Sequence, residues 1–74
     1  MTDPWTEEEA LLLQQLRQKA GLDTSRFAIE NAISHAQLLQ LENGGDTLFY
    51  SAAIKAHLGR KLIAKLQKRL DAAI

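Results

Sequence analysis

Helix start and stop signals follow one another so closely in this chain that they leave little room for other structure. Thr6 and Glu9 form a capping box, in which each side chain accepts a hydrogen bond from the other residue's backbone N–H. Leucines then recur at helical spacing as far as Gly21, a residue type that commonly ends helices. The pattern predicts a first helix over Glu7–Ala20, and no segment alternates with the period of a strand. We therefore expect an all-α fold.

Two short helices are predicted next, with a very short connector between them. Asp23 can cap a second helix over Thr24 to about Glu30, and Ser34 opens a third through another capping box. Asn43-Gly44 ends the third helix. Only Asn31, Ala32 and Ile33 are left between the two. Such a connector forces a tight angle, which is the local geometry of a helix-turn-helix.

The last third of the chain has small or apolar residues at alternating intervals of three and four, the spacing of a helical seam. A single long helix is compatible with this seam, but the seam passes through Gly59, and glycine costs about 1 kcal/mol relative to alanine inside a helix. We therefore predict two helices bent at Leu58-Gly59, the fourth capped by Asp46 and the fifth over Arg60 to about Ala72. The expected architecture is one domain over residues 1–74, a compact bundle of five helices.

Composition excludes several classes of function. The 74 residues include no cysteine, so neither a disulfide framework nor a thiolate metal site is available. The longest apolar run, Ala10 to Leu13, is far shorter than the roughly 18 residues of a transmembrane span, and the acidic start is unlike a signal peptide, so we expect a cytoplasmic protein. We also expect no metal, no cofactor and no enzymatic activity, because the sequence lacks a glycine-rich phosphate loop and clustered histidines and carboxylates.

Residues 16–44 carry a series of short motifs in a fixed order. They are Leu16-Arg17, Gly21-Leu22-Asp23, Phe27-Ala28, Ile33-Ser34 and Leu41-Glu42-Asn43-Gly44. In this order and without insertion they resemble the Cro/Xre-like phage-repressor helix-turn-helix family, over residues 16–58. The resemblance implies a bacterial or phage transcription regulator with double-stranded DNA as its partner and its third helix in the major groove. It also implies an internal salt bridge between Arg17 and Glu42.

Carried over position by position, the resemblance implies a set of DNA contacts. The base-reading positions are His35, Ala36 and Gln40, with Gln37 nearby. The positions that commonly hold backbone phosphates are Thr24, Ser34 and Asn43. These residue types suit the task, because glutamine can pair with adenine, an alanine methyl can touch thymine and histidine can donate to guanine. Helix capping alone accounts equally well for Ser34 and Gln37, and simple solvation for His35.

The sequence departs from the family pattern in two respects. Ala32 stands where the family's turn usually has glycine, and the distribution of charge is different. Residues 1–30 carry six acids and three bases, and residues 31–74 three acids and six bases, so the net charge of zero is a sum of minus three and plus three. No lysine or arginine occurs between Phe27 and Ile54, whereas residues 55–69 hold six bases and no acid. This terminal basic helix can solubilise the domain, contact phosphates beside the groove or an anionic membrane, or form a homodimer through its apolar face.

A second functional hypothesis follows from the absence of lysine and arginine in the third helix. Some members of the superfamily hold a protein in place of DNA, as the RodZ-type cytoplasmic domain does through its fourth helix. Here that helix would begin Leu48-Phe49-Tyr50, so Phe49 or Tyr50 could anchor a protein partner. The simpler interpretation places Phe49 in the core with Tyr50 covering its edge. Under this alternative the 74 residues are the N-terminal part of a longer cytoskeletal or membrane-associated scaffold.

Overall fold

The computed structural model describes residues 4–72, in which four helices and no strands are present. The helices are α1 (Glu7–Lys19), α2 (Thr24–Glu30), α3 (His35–Asn43) and α4 (Ala52–Ala72). They form one compact all-α body with extents of 35 × 25 × 18 Å. Within residues 4–72, no helix combines the length and the apolar character that crossing a membrane requires.

The predicted caps are present at the starts of the first three helices. The Thr6 hydroxyl accepts from the Glu9 N–H at 3.1 Å, and the Glu9 carboxylate accepts from the Thr6 N–H at 3.3 Å. Ser34 and Gln37 form the same box at 3.0 and 3.1 Å. Asp23 accepts from the backbone N–H three residues later at 2.7 Å. Each cap satisfies a donor that the helix itself leaves unpaired.

The prediction of separate fourth and fifth helices is wrong for the described residues, because α4 runs without a break from Ala52 to Ala72. Asp46 does not cap this helix. Ser51 does, since its Oγ accepts from the Ile54 N–H at 3.1 Å and its carbonyl from the Lys55 N–H. The helix therefore starts six residues after the predicted cap, and Leu58-Gly59 lies in its interior.

Trp5 explains why α4 contains a glycine without bending there. A Cβ added at Gly59 would lie 2.8 Å from Cε3 of the Trp5 ring and closer still to two other ring carbons. The indole Nε1 also donates to the Leu41 carbonyl at 2.8 Å, one of the last carbonyls of α3, which lack a partner within the helix. Gly59 thus admits the ring, and Trp5 joins the N-terminal segment to both α3 and α4.

A leucine-rich core holds the helices together. Its largest fully buried side chains are Leu13, Leu38, Leu41, Leu62 and Leu66. Phe27 and Ala28 add the buried side of α2. Because these residues come from all four helices, the orientation of α2 and α3 is set by one continuous core.

The salt bridge expected between Arg17 and Glu42 lies inside this core. Arg17 Nε donates to Glu42 Oε2 at 2.7 Å, and Nη2 donates to Oε1 at 2.9 Å. The remaining Nη1 donates to the Leu22 carbonyl at 2.8 Å. This paired carboxylate raises the pKa of the Arg17 guanidinium. The two side chains are 9% and 3% exposed, so the pair is desolvated and fastens α1 to the end of α3.

Candidate functional site

The connector between α2 and α3 contains a strained residue. Ala32 has φ of +56°, the only positive φ of a non-glycine residue in the described chain. A side chain in this left-handed conformation costs about 1–2 kcal/mol. The turn closes through the Ile33 N–H, which donates to the Ala28 carbonyl at 3.1 Å, and through the Asn31 side chain, which donates to the Phe27 carbonyl at 2.9 Å. The reversal of the chain is therefore sharp and held at both ends.

The starts of α2 and α3 lie side by side. Thr24 Oγ1 and His35 Nε2 are 2.7 Å apart in a hydrogen bond, which brings together two residues predicted for the site. One side of α3, here named the α3 face, points away from the core. It consists of His35, Ala36, Leu39, Gln40 and Asn43, all exposed except the half-buried Gln40. The α3 face carries no lysine, arginine, aspartate or glutamate.

Both glutamines of α3 hold the loop of residues 44–51. Gln40 Nε2 donates to Thr47 Oγ1 at 2.7 Å, and Gln40 Oε1 accepts from the Leu48 N–H at 3.1 Å. Gln37 Nε2 donates to the Leu48 carbonyl at 3.3 Å. Each end of the Gln40 amide therefore makes one hydrogen bond that positions the loop, and one N–H and one lone pair remain for a further partner.

A buried lysine holds the same loop from the side of α4. Lys55 Nζ donates to the Gly45 carbonyl and to Asp46 Oδ1, each at 2.8 Å, and lies 5.8 Å from the centre of the Phe49 ring. The residue is only 7% exposed. Lys55 is the first base after the stretch that lacks lysine and arginine, yet its ammonium group is paired with Asp46 of the same chain.

The loop presents one aromatic residue inward and one outward. Phe49 is partly buried against the core, as the simpler interpretation expected. Tyr50 is 97% exposed, so the expectation that it covers the edge of Phe49 is wrong. Leu48 and Ile54 are also exposed, at 44% and 50%. Leu48, Tyr50 and Ile54 are here named the loop patch, and Leu48 lies beside α3 because its backbone is bonded to Gln37 and Gln40.

Most basic side chains are paired within the described residues. Five of the nine form salt bridges with carboxylates. The four others are Lys19, Lys61, Lys65 and Lys68. Three of these four are on α4, so free positive charge is concentrated there and not on the α3 face.

The apolar stripe of α4 that was expected to contact a second copy faces the chain's own core. Leu62, Ile63 and Leu66 are 1%, 8% and 1% exposed. Leu70 is partly buried. A homodimer through this helix would therefore have to use residues outside the stripe.

Trp5 and Lys55 are the two important residues that sequence reasoning missed. Trp5 immediately precedes the cap Thr6, a position from which a hydrophobic residue often packs back onto the fold, so a signal for it exists. The sequence offers no such signal for Lys55, because lysine is almost never fully buried.

The structure separates the seven predicted site residues by role. Thr24 and His35 bond each other, Ser34 is a cap, Gln37 and Gln40 hold the loop, and Ala36 and Asn43 are exposed.

Comparison of the chain with protein-family models, with curated proteins and with solved structures finds no match.

Proposed function

We propose that this domain binds double-stranded DNA as a transcription regulator of the helix-turn-helix type, with α3 in the major groove. The observation that carries the proposal is the contact between Thr24 and His35, which sets the starts of α2 and α3 together and leaves the α3 face open. Helices of seven and nine residues with a short connector suit this motif. The left-handed Ala32 supports it further, because the family's turn usually has glycine at that position.

The proposed base contacts concentrate at the start of α3. His35 and Ala36 are exposed in its first turn, and the N-terminal residues of a recognition helix are those that reach base edges. The Ala36 methyl suits thymine, and His35 can exchange Thr24 for a guanine acceptor or a phosphate. Gln40 then acts mainly by holding the loop, so its role differs from the base contact that the resemblance implies.

The side of α3 opposite the α3 face is fixed firmly in the fold, which favours the use of the α3 face for binding. The buried pair of Arg17 and Glu42 and the bond from Trp5 to the Leu41 carbonyl fix the helix against α1 and the N-terminal segment. A helix fixed before binding loses little conformational freedom when a ligand docks on it. The backbone of α3 is therefore positioned for binding, and His35 only has to exchange its bond to Thr24.

Replacing Ala36 with glutamate tests the proposal. The added charge would face phosphates and base acceptors, whereas an acid in the first turn of a helix is favourable for folding. We expect A36E to abolish duplex binding, measured by fluorescence anisotropy at about 50 mM salt, and to leave the melting temperature unchanged or raised. Q15E, on the exposed side of α1, adds the same charge as a control. Equal binding by A36E and Q15E would contradict the proposal.

A second candidate function is binding of a protein partner at the loop patch. The supporting observation is the 97% exposed Tyr50 between two exposed aliphatic residues on a loop that Gln40 and Lys55 hold in place. Tyrosine is a common anchor of protein interfaces. A photo-crosslinking residue at position 50 should capture one protein saturably in the cell of origin, and the same probe at position 15 should not. Equal, unsaturable labelling from both positions would contradict this candidate.

Dimer formation stays a separate prediction, since DNA regulators of this type often occupy two half-sites. Sedimentation of the isolated chain at high concentration should reveal self-association. A strictly monomeric chain that still binds DNA would mean that a single copy is sufficient.

A further inference from the structure

One exposed side of α4 carries a row of lysines, none of which forms a salt bridge within residues 4–72. Lys61, Lys65 and Lys68 recur at intervals of four and three, so they lie on one side of the helix, here named the lysine face. All three are exposed, and His57 precedes them by one turn on the same side. Nearest-neighbour repulsion between lysines costs stability, so the row is not explained by folding.

The lysine face is close to the motif proposed to bind DNA. Lys65 Nζ donates to Asn31 Oδ1 at 3.2 Å, and Arg69 pairs with Glu30 at 3.1 Å, which places this part of α4 beside the end of α2. The start of α2 touches His35. The two surfaces are therefore separated by about the length of α2, roughly 9 Å for six helical steps.

The burial of the opposite side of α4 identifies the kind of partner. A basic helix binds a membrane stably when its apolar side enters the lipid, but here Leu62 and Leu66 are each 1% exposed in the core. The lysine face can therefore act only through charge. A regular row of point charges without a shaped pocket suits a repeating array of phosphates, and this contact does not depend on base sequence.

We propose that the lysine face of α4 binds the phosphate backbone of nucleic acid. It supplies the positive charge that the α3 face lacks, so sequence reading and electrostatic affinity come from different helices. The inference rests on the proposed function for the role of α3, but the backbone contact itself involves none of the α3 residues.

The double variant K61Q/K68Q tests this contact. Neither lysine forms a hydrogen bond or salt bridge within residues 4–72, and their removal relieves repulsion in the row, so we expect the melting temperature to stay the same or to rise slightly. Binding to a mixed-sequence duplex, followed by anisotropy from about 50 to 200 mM salt, should fall roughly tenfold at low salt. The slope of log K against log salt should become shallower by about two, because each phosphate contact contributes about 0.9. K61R/K68R keeps the charge and should bind like the wild type, and K19Q removes a free lysine on α1 and should have little effect.

The outcomes separate this inference from the proposed function. Loss of binding in K61Q/K68Q supports the inference whether or not A36E binds, and A36E alone reports on α3. Unchanged affinity and slope in K61Q/K68Q overturn the inference, as does absence of any duplex binding by the wild type at low salt. The inference is also overturned if the wild type binds vesicles with about 30% phosphatidylserine and K61Q/K68Q does not, while the two proteins bind the duplex equally well.

Discussion

On its inner side α3 presents Leu38, Leu41 and Glu42, all buried, whereas on its outer side His35, Ala36 and Leu39 are exposed. On the inner side both carboxylate oxygens of Glu42 accept from Arg17, and the Leu41 carbonyl accepts from Trp5. Under the proposed function, one nine-residue helix is both a structural element and a binding surface. Charge serves stability on the inner side, where Glu42 is paired with Arg17, whereas the outer side carries no lysine or arginine.

The comparison is tested most strongly at the buried ion pair. Arg17→Met leaves the Glu42 carboxylate, whose side chain is 3% exposed, without its partner. We expect the free energy of unfolding to fall by about 3–5 kcal/mol in urea denaturation, enough to unfold much of a small domain. The double variant R17M/E42L removes both charges and should recover most of the loss. Equal stability of single and double variants would show that the inner side does not depend on pairing.

Gly59 gives the next largest effect, and its sign depends on Trp5. Gly59→Ala forces the indole to move, so we expect a loss of about 1–3 kcal/mol despite the better helix propensity of alanine. In a W5A background the ring is absent, and the same substitution should stabilise by about 1 kcal/mol. Thermal unfolding of the four chains of this cycle measures both. An equal loss of stability in both backgrounds would show that the close approach of Trp5 is not the reason for the glycine.

The turn before α3 yields a smaller gain. Ala32→Gly relieves the left-handed strain but adds freedom to the unfolded chain, so we expect a net stabilisation of about 0.5–1 kcal/mol. Ala64→Gly, at an exposed position of α4, should instead lower stability by about 1 kcal/mol. Chemical denaturation of both variants checks the opposite signs. A loss in both would mean that residue 32 is unstrained in solution.

The smallest effect concerns the N-terminal segment and appears only in acid. A hydrogen bond from Arg60 lowers the pKa of Glu9 below its ordinary value of 4.5. The pair therefore stabilises the fold above that value, and its contribution disappears as pH falls through the lowered pKa. Both side chains are partly exposed, so we expect less than about 1 kcal/mol. E9Q keeps the capping box and should flatten the stability curve at pH values below the ordinary carboxyl pKa of 4.5. An unchanged curve would contradict the assignment.

The features that could be predicted from the sequence depend on contacts between near neighbours. Thr6, Asp23 and Ser34 bond backbone groups three residues away, so their caps are visible in any short window. Gly59 was misinterpreted because the ring that requires it belongs to residue 5, far along the chain. The roles of Gln40 and Lys55 likewise depend on how the loop folds back, which residue type and spacing do not encode.

Trp5 and Tyr50 are the chain's single tryptophan and single tyrosine, and they lie on different sides of α3. Each can therefore serve as an intrinsic optical probe of its own region. Indole emission reports whether the N-terminal segment is docked on α3 and α4, and it should change on unfolding but not when a ligand meets the α3 face. Tyrosine emission, from a phenol fully in water, should respond to a ligand at the loop patch while the fold stays intact. Two wavelengths on the unlabelled protein can thus distinguish occupancy of the outer surface from loss of the inner scaffold.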